Sequence, residues 1–374
     1  MATYRLGDIA PIQQGVVPNN DQYWLLNLDM VESNTGKVLD FLYVDDSQIG
    51  TSTISFDQNN VLYSKLRPYL NKVVLPDRAG YATSEMLPLK PDEKIIIREY
   101  LSYFLRSPHF VKYINEKTSG AKMPRANIAD LKAYEIDCPS VMEQQRIVSQ
   151  FNSISRIIQT RQQQLSALDD LIKARFVELY ETAELSEETT VEAITTRVKV
   201  GFVGTCEKYY TDQSGVPMLR TGNITENGID LADLKYVTNE FNAKNKKSQI
   251  HEGDLLIARH GSNGQANVYH GPEAQCLNAV VIVPDYRMAT PVFLAGLINS
   301  PMVKTQIDRT LVGSTQHVVN TKSIASLKVR VPQMAVQNEY EQFVAQVDKS
   351  KVAVQKALNE AQLLFDSLMQ QYFG

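Results

Sequence analysis

The residues best suited to do chemistry in this chain sit in short loops dense in hydrogen-bond donors. One runs Ser64-Lys65-Leu66-Arg67-Pro68-Tyr69-Leu70-Asn71-Lys72, directly after an apolar run at 61–63. A second runs Ala258-Arg259-His260-Gly261-Ser262-Asn263-Gly264-Gln265, directly after an apolar run at 255–257. Both mix cations with amide or hydroxyl donors. Lysine and arginine suit phosphate oxygens, while arginine, asparagine and glutamine match the donor and acceptor patterns of base edges. Gly261 and Gly264 would let backbone approach a ligand closely. A second pair is Ser119-Gly120-Ala121-Lys122-Met123-Pro124-Arg125 and Val312-Gly313-Ser314-Thr315-Gln316-His317, each a glycine followed by polar donors. A third, weaker pair sets Arg220-Thr221-Gly222-Asn223 against the acidic Asn27-Leu28-Asp29-Met30. Any one of these also reads as a solvated turn leading back into a strand. Recurrence at equivalent places favours recognition. The candidate contact residues are Lys65, Arg67, Lys72, Lys122, Arg125, Arg220, Arg259, His260, Ser262, Asn263, Thr315 and Gln316.

Catalytic patterns are missing from the sequence. It has no phosphate-cradling G-x-x-x-x-G-K-[ST] loop, no dinucleotide glycine fingerprint after a strand and no H-E-x-x-H. It has no G-x-S-x-G elbow and no Asn/Asp-Pro-Pro-aromatic segment of the kind amino-methyltransferases use. The five histidines do not pair at helical spacing, so no metal site is expected. A nucleophilic pair of Cys276 with His260 or His270 stays open, although a lone cysteine among apolar residues is commonly core. Pro91-Asp92-Glu93-Lys94 has the wrong spacing for a nuclease and reads as a charged turn.

The elements that must position these loops occur twice. A shift of 193 residues sets Pro139 on Pro332, Gln144 on Gln337, Ser107-Pro108 on Ser300-Pro301, Gly120 on Gly313 and Asn127 on Asn320. Each half has a globular block, about 1–138 and 186–331, followed by a helical block, about 141–180 and 334–373. So long a period implies duplication of a two-part unit rather than a solenoid. Short apolar runs at 61–63, 72–75, 255–257 and 279–283 read as strands, and 97–106, 108–118, 291–299 and 301–310 read as helices broken at Ser-Pro.

In the first helical block, positions 147, 151, 154, 158, 161, 165, 168, 172, 175 and 179 are apolar except Arg161 and Arg175; 193 residues later only Lys351 interrupts. A 3.5-residue period held over four heptads predicts a coiled-coil seam. Forty helical residues span about 60 Å. The two stripes match in length and register, leaving open whether they pair within a chain or between chains.

The 374-residue length fits two or three domains. Hydrophobic residues at 43% and charged residues at 21% are ordinary globular values. No run of about 18 apolar residues occurs, and the N-terminus lacks a secretion-signal layout. Three scattered cysteines argue for a reducing, cytoplasmic setting. The net charge of −4 puts any nucleic-acid face down to local clustering.

Cys138-Pro139-Ser140-Val141-Met142-Glu143-Gln144-Gln145-Arg146-Ile147 resembles the Pro-x-x-x-Glu-Gln-x-x-Ile segment leading into the first long helix of type I restriction-modification specificity subunits. Leu6-Gly7-Asp8-Ile9, Gly120 and Gly313 fit as well, and the duplicated layout covers the whole chain. The second lead-in departs, with Val336 where Glu is usual and Asn338 where Gln is common. The resemblance implies an α+β (mixed α/β) chain with two pseudo-repeated target-recognition domains, 1–140 and 186–333, separated by two long antiparallel coiled-coil helices, 141–185 and 334–374. It implies a subunit without catalysis or cofactor of its own, each recognition domain reading one half of a bipartite, asymmetric site on double-stranded DNA. The helices would set the spacer and dock two methyltransferase subunits, and two restriction (motor-nuclease) subunits would join for cleavage. S-adenosylmethionine, ATP and Mg would belong to those partners. Two rivals remain: an enzyme whose coils are a dimerisation stalk, and a purely structural scaffold.

Overall fold

A computed structural model describes residues 2–120, 122–225, 228–259, 264–311 and 318–374, without the side chains at 310 and 311. The chain divides into two compact units, residues 1–162 with 356–374, and residues 163–355.

In the first unit, strand Val61–Ser64 lies between Val73–Val74 and Met86–Leu89, antiparallel to both. A second sheet has the order Leu42–Val44, Tyr23–Leu26, Gly80–Thr83, Thr53–Phe56, with the two central strands parallel. The second unit repeats the plan. Leu255–Ala258 lies between Ala266–Val268 and Ala279–Pro284, and Thr195–Val200 extends that sheet. Its other sheet again centres on a parallel pair, Val216–Leu219 and Ala274–Cys276. Val61, Leu62, Tyr63, Leu255, Leu256 and Ile257 are all buried, as expected of central strands covered on both faces.

Helices cover one face of each three-strand core: Arg98–Leu105 and Pro108–Glu116 in the first unit, Pro291–Asn299 and Pro301–Leu311 in the second. Their starts follow from local chemistry. Ser107 and Thr290 accept from the backbone N–H of Phe110 and Phe293, each just before a proline that begins its helix. Asn127 and Asn320 cap the short helices Ile128–Ala133 and Thr321–Ala325.

Two long helices, Val141–Thr182 and Met334–Phe373, are divided between the units. In the first unit Phe151 packs on Phe365 and Phe373, and Tyr372 Oη donates to Gln150 Oε1 at 3.0 Å. In the second, Phe176 meets Tyr340 edge-on, Arg175 reaches Glu339 at 2.6 Å and Lys351 reaches Asp169 at 2.6 Å. Early residues of one helix meet late residues of the other, so within each unit the pairing is antiparallel and within one chain. Every expected seam position is buried or half-buried. One departure occurs at Arg175. Its neighbour Phe176 carries the burial, being drawn into a core with Phe293 and Tyr340, while the guanidinium turns to Glu178 and Glu339.

A glutamine ties each helix to its unit. Gln144 Nε2 donates to the carbonyls of Ile95 and Pro139, and its Oε1 accepts from Ile97 N–H. Gln337 does the same with Met288, Pro332 and Thr290. Both side chains are fully buried, with both amide N–H groups and the amide oxygen bonded to backbone. No helix of the described residues is long and apolar enough to cross a membrane.

Candidate nucleic-acid interface

The first loop pair leaves equivalent strands. Ser64–Lys72 follows the middle strand Val61–Ser64, and the loop opening at Arg259 follows the middle strand Leu255–Ala258. Each middle-strand loop then meets the segment beyond the helix pair. In the first unit Ala126 N–H donates to the Lys65 carbonyl at 2.8 Å, and Arg67 N–H donates to the Pro124 carbonyl at 2.7 Å. In the second, Val319 N–H donates to the Arg259 carbonyl at 3.0 Å. Ala126 and Val319 are themselves 193 residues apart, so one loop junction is built twice. The third pair also proves equivalent: each follows the strand that pairs in parallel, Tyr23–Leu26 or Val216–Leu219, and each begins with a 3-10 turn.

The first-unit junction gathers Lys65, Arg67, Lys72 and Arg125. Arg67 and Asn71 hold φ of 48° and 52° on either side of the Pro68–Leu70 turn. Side chains other than Gly and Asn rarely adopt that region, so Arg67 is held there by its bond to Pro124. Its side chain is exposed, as is that of Lys122. Lys72 Nζ donates to the Leu28 carbonyl at 2.6 Å, joining the third loop to the first. Arg125 forms a two-pronged pair with Glu85 at 2.8 Å. The Arg125 guanidinium, with Lys65 nearby, holds the Glu85 carboxyl below its usual range. Part of the expected positive charge is thus answered within the loop cluster.

In the second unit Arg259 is half-buried. Its Nη1 donates to Asn278 Oδ1 at 2.9 Å, and its Nε to the Val319 carbonyl at 3.4 Å. Arg220 lies apart from that pair; its Nη2 bonds the Asp233 carboxylate at 3.1 Å. His260, Ser262, Asn263, Thr315 and Gln316 lie outside the described residues.

The sequence reading missed Glu85 and Asn278, the partners that set the orientation of Arg125 and Arg259. Asn278 carries a signal: it separates two strands and takes φ 52°, a conformation asparagine tolerates. Glu85 carries none, because its pairing spans 40 residues of sequence.

Cys276, the open nucleophile candidate, is fully buried, and burial pushes its thiol up to about 12. A thiol held protonated in that way is no nucleophile at neutral pH. His270 Nδ1 lies 2.6 Å from Glu252. No group of three or more His, Cys, Asp or Glu is placed to hold a metal ion among the described residues.

The type I restriction modification DNA specificity domain family matches the chain twice, over residues 1–169 and 167–362. The chain belongs to this family. Two Escherichia coli relatives are the type I restriction enzyme EcoBI specificity subunit, 23% identical over 42% of this chain and 34% of that protein, and the EcoDI specificity subunit, 24% identical over 36% and 30%. The aligned stretch spans about a third of the length of these relatives. Among solved structures, the type I restriction-modification S subunit from M. genitalium overlays with TM-score 0.60 at 13% identity, covering 100% of this chain and 96% of that one. A chain from a study of complex assembly and conformational transition in a type I R-M system overlays with TM-score 0.59 at 15% identity, covering 100% and 97%. These likenesses place the specificity-domain fold over the whole chain, with its two domains matching the internal repeat.

Proposed function

We propose that this chain is the DNA sequence-specificity subunit of a type I restriction-modification complex, acting without catalysis of its own. Each recognition domain, 1–140 and 186–333, reads one half of a bipartite asymmetric site. The duplicated loop junction, with Lys65 bonded to Ala126 and Arg259 bonded to Val319, carries the reading. It sets donors on a fixed strand end twice in one chain, which a purely structural coil has no need of. Lys65, Arg67, Lys72, Lys122 and Arg125 contact one half-site; Arg220, Arg259, His260, Ser262, Asn263, Thr315 and Gln316 serve the other, cations on phosphates and amides or arginine on bases. The long helices, 141–185 and 334–374, set the spacer and dock two methyltransferase subunits. Two restriction subunits complete a cytoplasmic complex, and S-adenosylmethionine, ATP and Mg are held by those partners.

The test is co-expression with the partner methyltransferase in a host lacking such systems, followed by single-molecule mapping of N6-methyladenine. A new two-part motif with a fixed gap is expected. A stable complex without new methylation would remove the DNA-reading function.

A further inference from the structure

A cleft in the second unit holds none of the loops discussed above. It has a volume of about 700 Å³ and is walled by residues 197–203 on one side and 243–248 on the other. Five cations line it, Arg197, Lys199, Lys244, Lys246 and Lys247, and no carboxylate does. None of the five is in an ion pair among the described residues, in a chain whose net charge is −4. Like charges gathered with no carboxylate on the cleft lining repel one another, so such a cleft is stabilised by an anionic occupant.

Both walls are built rigidly. Behind the lysine turn, Ser248 Oγ donates to Gln275 Oε1 at 2.6 Å, and Gln275 Nε2 donates to Asn242 Oδ1 at 2.7 Å; all three side chains are buried. Lys199 Nζ donates to the Gln249 carbonyl, tying one wall to the other, with Asp254 close behind it. Gly201 shapes the opposite wall: a Cβ there would stand 2.3 Å from the Cys276 carbonyl, so only glycine lets the chain lie this close. Val200 and Val203 leave apolar surface exposed between the cations, as suits a sugar between phosphates.

The cleft also adjoins the reading loop. Thr195–Val200 and Leu255–Ala258 run in the same direction on either side of Ala279–Pro284, so Gly201 and Arg259 leave the same end of one sheet. Asn278 links them, donating its N–H to the Phe202 carbonyl at 2.9 Å while its Oδ1 receives Arg259.

We propose that this cleft is a phosphate-anchoring site for the backbone of duplex DNA, gripping the strand that runs past Arg259. The proposal rests on the DNA-reading function above and adds a backbone contact to it. In the sequence its signal is the Lys244-Asn245-Lys246-Lys247 run with the alternating Arg197 and Lys199.

The experiment measures binding of the full chain, together with its methyltransferase partner, to a target duplex and a non-target duplex over a salt series. The variant is K244Q/K246Q/K247Q; these side chains are exposed, so the fold is retained. Each lost phosphate contact lowers the slope of log K against log salt by about 0.9, so a fall of up to about 2.7 is expected, equal on both duplexes, with target preference kept. The control variant K94Q/K132Q, also exposed and in the other unit, should leave the slope unchanged. An unchanged slope in the cleft variant, with the unaltered protein binding duplex normally, overturns the cleft and leaves DNA reading intact. An equal loss on single-stranded RNA overturns the assignment to duplex DNA. No duplex binding by the unaltered protein removes the reading function and the cleft together.

Discussion

The two units share a scaffold and differ in how their middle-strand loop junctions handle charge. In the first, the loop junction neutralises part of itself: Arg125 is held by Glu85 and Lys72 by the Leu28 carbonyl. In the second, Arg259 is oriented by a neutral amide, and five further cations stand along a cleft at the same sheet end without a carboxylate among them. The buried devices do not diverge in this way. Gln144 and Gln337 make the same three hydrogen bonds, and Asn127 and Asn320 cap the same helix. Buried polar groups tolerate little change, because each lost partner leaves an unsatisfied group away from water. Exposed charges are cheap to gain or lose. Duplication followed by drift therefore keeps the junctions and rewrites the loops, as the proposed reading of two different half-sites requires.

The comparison is broken most severely at the aromatic cores. Phe151 is fully buried among Tyr103, Phe365 and Phe373, whereas Phe176 retains 5% exposure beside Phe293 and Tyr340. Phe151→Ala should cost about 3–5 kcal/mol in denaturant unfolding, with Phe176→Ala at the lower end of that range. A reversed order would mean that the second unit, not the first, depends more on its helix pair.

Next come the glutamine ties. Gln144→Leu and Gln337→Leu each strand two carbonyls and one N–H, at about 1–3 kcal/mol for a group left unpaired in the interior. Thermal melts should show two losses of similar size, and a clear inequality would undo the equivalence of the junctions. Arg259→Ala should weaken discrimination at one half-site by about 1–3 kcal/mol, roughly five- to 150-fold, while methylation mapping shows the other half-site read as before. Equal loss at both would end the two-reader account.

The smallest effect sharpens the charge contrast. Glu85→Gln frees Arg125 and should steepen the salt dependence of duplex binding by up to about 0.9, with under about 1 kcal/mol change in stability. The sign with pH follows from the pairing. Arg125 holds the Glu85 carboxyl below its usual range, so what that pairing contributes is present above the ordinary carboxylate pKa and is lost as pH falls through the lowered one. The unaltered protein in acid should then approach the variant.

Much of this was legible from sequence because it is periodic or local. Ser-Pro before a helix, an asparagine cap, a 3.5-residue stripe and a 193-residue shift are statements about neighbours along the chain or about a repeat, and they placed the strands, the helix pairs and the equivalence of the loops. The charge partners were not legible. Glu85 reaches Arg125 across 40 residues, Lys72 reaches Leu28 across 44, and the cleft joins residues 197–203 to 243–248. Arg175 shows the same limit at the scale of one residue: the heptad places it in the seam, yet the core of the second unit takes Phe176 instead. By itself the sequence determined a duplicated strand-and-helix unit with long amphipathic helices, since hydrophobic spacing dictates which face must leave water. Only the tertiary structure decided that the helices pair within one chain, and which cations meet a carboxylate and which do not. Those outcomes depend on distances between side chains that the chain order does not encode.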